Sequence, residues 1–182
     1  MMERAAIIGG FGGQGILFAG QILAQAALDE GLHVTWLPSY GPEMRGGTAS
    51  CTIVVADHPI GSPIVDVADL LIALTPPALS RYQALVAADG LIVLNSSLIE
   101  AEARDDVEAA RALCSEIARE AGDDRVVSVV ALGAAIARRP IVAAASIRSA
   151  LRAFSTKAGP DAVERNVRAF EAGLATRESA SV

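Results

Sequence analysis

Residues 4–31 read RAAIIGGFGGQGILFAGQILAQAALDEG, and this stretch decides the fold. Arg4 to Gly9 is a short apolar run closed by glycines, the pattern of a buried strand, and from Gln14 to Glu30 the spacing turns helical. Gln14, Gln21, Gln25 and Asp29 fall on one stripe of that helix, while Ile16, Ala19, Leu23, Ala26 and Ala27 fall on the other. Gly31 supplies its stop. Between strand and helix, Gly10-Phe11-Gly12-Gly13-Gln14-Gly15 fits G-x-G-x-x-G where the pattern carries meaning. Glycines permit positive φ and let main-chain N–H groups approach an anion, and the start of the helix favours negative charge. The plainer alternative is that these glycines only let helix pack closely on strand.

Outward from this unit, Leu32 to Leu37 reads as a second strand, Pro38 to Gly47 (PSYGPEMRGG) as a loop, and Thr48 to Ala56 as an alternating strand. Two strands without an intervening helix predict a mixed sheet. Asp69 to Leu74 is a buried strand, Pro76 and Pro77 open a short helix through Ala87, and Leu91 to Leu94 is the next strand, ending at Asn95-Ser96-Ser97. Val107, Ala110, Cys114, Ile117 and Ala121 form the apolar stripe of a charged surface helix, and Val126 to Val130 is the last strand candidate. Three helices follow: Ala131 to Arg138, a segment with Ile147, Leu151 and Phe154 in phase, and Pro160 to Gly173 with Val163, Val167, Phe170 and Leu174 in phase. The fold expected is α/β, a single three-layer α/β/α Rossmann-like domain with a mostly parallel, mixed sheet over residues 1–175, followed by a frayed tail at 176–182.

The chain has 182 residues, 52% hydrophobic and 20% charged, enough for a sizeable core. Its longest apolar run, Val126 to Ala137, is ended by Arg138 and Arg139 and falls short of the roughly 18 residues a membrane span needs. The N-terminus lacks the pattern of a signal peptide, so a soluble, cytoplasmic protein without membrane partners is expected. A net charge of −6 repels a phosphate backbone, and four phenylalanines, two tyrosines and one tryptophan offer few stacking platforms, which excludes nucleic acid as a partner. Cys51, Cys114, His33 and His58 are too few and too scattered for a disulfide framework, an iron–sulfur cluster or a zinc site.

A dinucleotide fold usually places an acid about 20 residues past the glycines to hold a ribose. Leu32 to Tyr40 contains neither Asp nor Glu, which disfavours ordinary NAD binding and leaves another phosphate-bearing ligand open. Arg45, between Met44 and a glycine pair at the same sheet edge, is suited to fork a phosphate or carboxylate, or to pair with Glu43. Asn95 closes a buried strand at that edge and offers donor and acceptor to a ligand, or simply forms a turn. Ser96 and Ser97 lack a partnered histidine, so no nucleophilic catalysis is expected and no catalytic residue is assigned.

The segments GFGGQGILFAGQILAQAA, TWLPSYGPEMRGGTASCTIVVAD, IGSP, DLLIALTPPALSRY and LIVLNSS resemble, in sequence and order, the gamma subunit of the 2-oxoacid:ferredoxin oxidoreductases. The likeness runs from about Ala5 to Gly173 and includes LGA at 132–134 and the Asn166, Ala169, Gly173 pattern. It is nearer the 2-oxoglutarate and related branches than the pyruvate or indolepyruvate branch. The resemblance implies a thiamine-diphosphate-dependent enzyme that converts a 2-oxoacid, coenzyme A and oxidised ferredoxin into acyl-CoA, carbon dioxide and reduced ferredoxin. Thiamine diphosphate and iron–sulfur clusters would sit on partner alpha and beta subunits, with a ferredoxin-like delta subunit as a further candidate and ferredoxin met indirectly. This chain, inactive alone, would supply subunit contacts and part of the CoA site. Carried over, the CoA contacts fall on Gly12, Gly13, Gln14, Gly15, Ile16 and Asn95, with Arg45 the nearest counterpart of a family basic residue. Ser128 stands where the family has an asparagine, and its reach is shorter.

Two rival readings stand beside it. One is an independent oxidoreductase that binds NAD(P) or flavin on the glycine loop; the other is a non-catalytic ligand-binding scaffold.

Overall fold

A computed structural model of the chain describes residues 1–41 and 47–176. Six strands form one sheet: β1 (Glu3–Phe11), β2 (His33–Tyr40), β3 (Thr48–Ala56), β4 (Ala68–Ala73), β5 (Val86–Asn95) and β6 (Glu108–Ala112). The order is β2-β3-β1-β4-β5-β6. β3 runs antiparallel to both β2 and β1, whereas β1, β4, β5 and β6 pair in parallel. The expected mixed, mostly parallel sheet with helices on both sides is therefore present.

Alternation distributes the apolar residues of each strand to two layers. Ile8, Cys51, Ile53, Ile72 and Val93 join the layer built by α1 (Ile16–Asp29), α3 (Cys114–Glu120), α4 (Val127–Arg138), α5 (Ala144–Ser155) and α6 (Pro160–Ala175). Ile7, Val54, Leu71, Ile92 and Leu94 face the other way, onto Leu79 of α2 (Pro76–Tyr82) and onto Ile99. α1 and α4 lie on the sheet, with α5 and α6 packed over them. Among the described residues no helix is long and apolar enough to cross a membrane.

Several elements depart from the sequence expectation. The single surface helix expected around Val107 to Ala121 is instead strand β6 followed by the short α3. In β6, Ala110 and Ala112 are buried while Glu108, Ala109 and Arg111 are exposed, so pairing with β5 overrides the helix preference of EAARA. Val126 to Val130 is no strand: every residue from Val127 to Ile136 is buried in α4, and a helix enclosed on all sides shows no period. β2 continues through Pro38 to Tyr40, beyond the end expected at Leu37. Pro38 is tolerated there because β2 is an edge strand. α2 ends at Tyr82, a 3₁₀ turn spans Gln83–Leu85, and β5 starts at Val86 rather than Leu91, with a register irregularity between Ala68 and Leu70.

α6 meets α4 through Phe170 of the expected stripe and through small residues beside it. Ala162, Ala169, Phe170 and Gly173 are its buried residues, and Val163, Val167 and Leu174 are only partly covered. A Cβ on Gly173 would collide with the carbonyl of Val130, and one on Gly133 with that of Phe170. This backbone-to-backbone approach sets α6 close enough to reach the site described next. Phe154 of α5, also read as core, is 40% exposed.

Candidate functional site

β1 delivers its last residues to the loop that opens α1. The N–H of Gly12 donates to the carbonyl of Gly47 (2.9 Å), tying the loop to the start of β3. Gln14 folds back, its Oε1 accepting from the N–H of Phe11 at 2.7 Å. α1 therefore begins at Ile16, not at Gln14. Gly13 (φ 100°) and Gly15 (φ 74°) adopt left-handed backbone, the conformation glycine alone enters without strain. Gly15 caps α1 without a side chain, and the first turn carries no acid. The leading N–H groups of the helix consequently have no intrahelical partner and no carboxylate to quench them, which is the arrangement that receives an anion.

A cleft of about 470 Å³ opens over this loop. Gly12, Gly13, Gly15 and Ile16 line one wall; Arg125, Arg165 and Asn166 line the other; Phe11, Phe18 and Tyr40 add aromatic surface. The second wall comes from the turn before α4 and from α6. Asp123 accepts from the N–H of Arg125 (2.9 Å) and from its Nε (2.9 Å) and Nη2 (2.8 Å). Arg165 Nε approaches the same carboxylate at 3.4 Å, an ionic contact without hydrogen-bond geometry. The Arg125 guanidinium, aided by Arg165, holds the carboxyl of Asp123 down at about 2. Asp123 is 13% exposed and Arg125 75%, so the carboxylate lies inside and one guanidinium reaches the opening.

The structure brings Gly12, Gly13, Gly15 and Ile16 together at the cleft, with Gln14 bracing the loop between them. Ser128 is fully buried directly behind Gly15, 2.8 Å from the place of a Cβ there, and its Oγ has no partner among the described residues. Asn95 is fully buried outside the cleft wall. Its Nδ2 donates to the Leu74 carbonyl (3.2 Å) and Ser115 Oγ (3.0 Å), and its Oδ1 accepts from the N–H of Ser115 (3.3 Å). It thus fastens the ends of β4 and β5 to the start of α3. Arg45 lies outside the described residues. Both cysteines are buried, which pushes each thiol up to about 12. Among the described residues no group of His, Cys, Asp or Glu is placed to hold a metal ion.

Asp123, Arg125 and Arg165 were not singled out from the sequence. One signal existed: Ala162, Arg165, Asn166 and Ala169 recur at helical spacing, which places a charge beside the small-residue face of α6.

A model of the pyruvate ferredoxin/flavodoxin oxidoreductase family matches residues 5–176, nearly the whole chain. This chain belongs to the 2-oxoacid:ferredoxin oxidoreductase gamma-subunit family. It is 41% identical over 167 residues to ketoisovalerate oxidoreductase subunit VorA of Methanothermobacter thermautotrophicus, covering 91% of this chain and 35% of that one. The chain thus spans about a third of the length of that curated relative. It is 36% identical over 180 residues to 2-oxoglutarate synthase subunit KorC of Methanothermobacter marburgensis, covering 94% and 95% of the two chains. One of these relatives is named for ketoisovalerate and the other for 2-oxoglutarate. Among solved structures, the gamma subunit of a keto/oxoacid ferredoxin oxidoreductase from Geobacter sulfurreducens aligns with a TM-score of 0.87 at 27% identity, over 99% of each chain. The 2-oxoglutarate:ferredoxin oxidoreductase from Magnetococcus marinus, solved with 2-oxoglutarate, coenzyme A and succinyl-CoA bound, shares the fold with a TM-score of 0.89. That match is 22% identical and covers all of this chain and 32% of the other.

Proposed function

We propose that this chain is the gamma component of a 2-oxoacid:ferredoxin oxidoreductase and that its glycine loop holds the diphosphate of coenzyme A. The uncapped start of α1, facing an open cleft through Gly12, Gly13, Gly15 and Ile16, is the observation that supports this reading most. Main-chain N–H groups would hydrogen-bond the phosphate oxygens, and the helix dipole would favour their charge. Gln14 fixes the loop, Ser128 offers a buried hydroxyl beneath Gly15, and Asn95 braces the strand ends on which the loop rests. Arg45, which lies between β2 and β3 in the sequence, is assigned to the same ligand.

The overall conversion takes a 2-oxoacid, coenzyme A and oxidised ferredoxin to an acyl-CoA, carbon dioxide and reduced ferredoxin. Thiamine diphosphate and the iron–sulfur clusters, which supply decarboxylation and electron transfer, belong to the alpha and beta subunits and any ferredoxin-like delta subunit. The part played by this chain is positioning: with the diphosphate anchored, the thiol arm of CoA is free to extend toward a partner subunit, which lowers the entropic cost of the encounter.

Affinity purification of the tagged chain from its own cells, under gentle anaerobic conditions, tests the assignment. Recovery of thiamine-binding and iron–sulfur subunits is the expected result. Recovery of the chain alone, together with tight NAD binding in a titration, would replace it with an independent dinucleotide-binding enzyme.

A further inference from the structure

We infer that Arg125 and Arg165 form a second anion subsite across the cleft from the glycine loop, and that it reads the ribose 3′-phosphate of coenzyme A. The inference rests on the CoA reading above and adds to it the residues that choose between CoA and ligands lacking that phosphate.

Charge in excess of local need is the starting point. Asp123 is satisfied by Arg125 alone, which gives it a main-chain N–H and two guanidinium bonds. Arg165 nevertheless arrives from α6, a separate element, and sets a second cation 3.4 Å from the same carboxylate. Its Nε is buried and, although in ionic contact with Asp123, makes no hydrogen bond among the described residues, and a buried donor left unsatisfied is unfavourable. Among the described residues that line the cleft, two guanidinium groups stand against one carboxylate, a surplus of one positive charge in a chain whose net charge is −6. Neither arginine is needed there to hold the fold's apolar layers together: Arg125 is three-quarters exposed, and α6 packs on α4 through Ala169, Phe170 and Gly173.

The two walls differ in what they offer. The glycine loop presents neutral N–H groups suited to a diphosphate in close main-chain contact. The opposite wall presents full, planar charges suited to a terminal phosphate dianion. A ligand that uses both must carry two separated phosphate groups. Coenzyme A does, with its diphosphate and its 3′-phosphate on opposite sides of one ribose. Asp123 then acts as the resident anion that keeps the two guanidinium groups gathered before the phosphate arrives.

The test uses the complex purified through the tagged chain, with CoA and 3′-dephospho-CoA as alternative substrates. Arg125→Gln and, separately, Arg165→Met are expected to raise the Michaelis constant for CoA about tenfold or more while leaving that for 3′-dephospho-CoA within about twofold. Arg165→Lys is expected to recover part of the loss. Equal changes for both substrates, or no change for either, would overturn the inference while leaving the CoA reading intact. A wild-type complex that binds neither substrate would overturn the CoA reading itself, and the inference with it. Arg125→Gln alters an exposed side chain, so its outcome decides the matter even where Arg165→Met disturbs folding.

Discussion

The main-chain carbonyl of Arg125 fills the space that a side chain on Gly15 would need. The two walls of the cleft therefore touch at their base, and the glycine that caps α1 also lets the turn before α4 close against it. Gly13, two residues earlier, has open space around it and is constrained by its backbone angle alone.

These two glycines should accordingly respond differently to alanine. Gly13→Ala adds only left-handed strain, about 1–2 kcal/mol. Gly15→Ala adds that strain and a clash with packed backbone, and about 2–5 kcal/mol of lost stability is expected. Urea unfolding of both variants measures the gap; equal losses would mean that Arg125 yields freely and the walls are not locked.

Asp123 gives the cleft an acid signature. Its carboxyl is lowered from 3.8 to about 2, so the ionised form is favoured in the folded state. The stability this contributes is complete above the unfolded value and is lost as the pH falls from about 4 toward 2. Asp123→Asn should flatten that part of the curve of stability against pH, and an unchanged curve would show that the arginine pairing contributes nothing to folding.

Asn95 spends its amide inside the protein. Asn95→Ala removes three hydrogen bonds and strands the buried Leu74 carbonyl, while the Ser115 N–H keeps Ser97 Oγ as an acceptor. A loss of about 1–3 kcal/mol in denaturant unfolding is expected. Stability unchanged from the wild type would mean that the brace between β4, β5 and α3 is replaceable.

The β1–glycine loop–α1 unit was legible because its signals are local: an apolar run, closing glycines, then a helical stripe ended by Gly31. The alternation of β3 was legible for the same reason. β6 was not, since Glu108 to Ala112 favours helix locally and becomes strand through its register with Leu91 to Asn95. α4 was hidden because a run of buried valines reads alike in a strand or an enclosed helix. On the site, the half proposed to bind an anion was marked by the glycines. The arginine half did not, because Asp123 and Arg165 lie on different elements and meet only once Gly133 and Gly173 let α6 settle on α4.

The central claim is that the glycine loop holds the diphosphate of coenzyme A, and Gly13→Val tests it most directly. A Cβ there meets no protein atom within 4 Å, so apart from the strain of its left-handed backbone a side chain at this position stands in open space at the cleft, where it blocks approach to the loop. In the assembled complex the Michaelis constant for CoA should rise about tenfold or more, with that for the 2-oxoacid unchanged. A CoA constant equal to that of the wild type, in a variant that still assembles, would remove the loop from the CoA site.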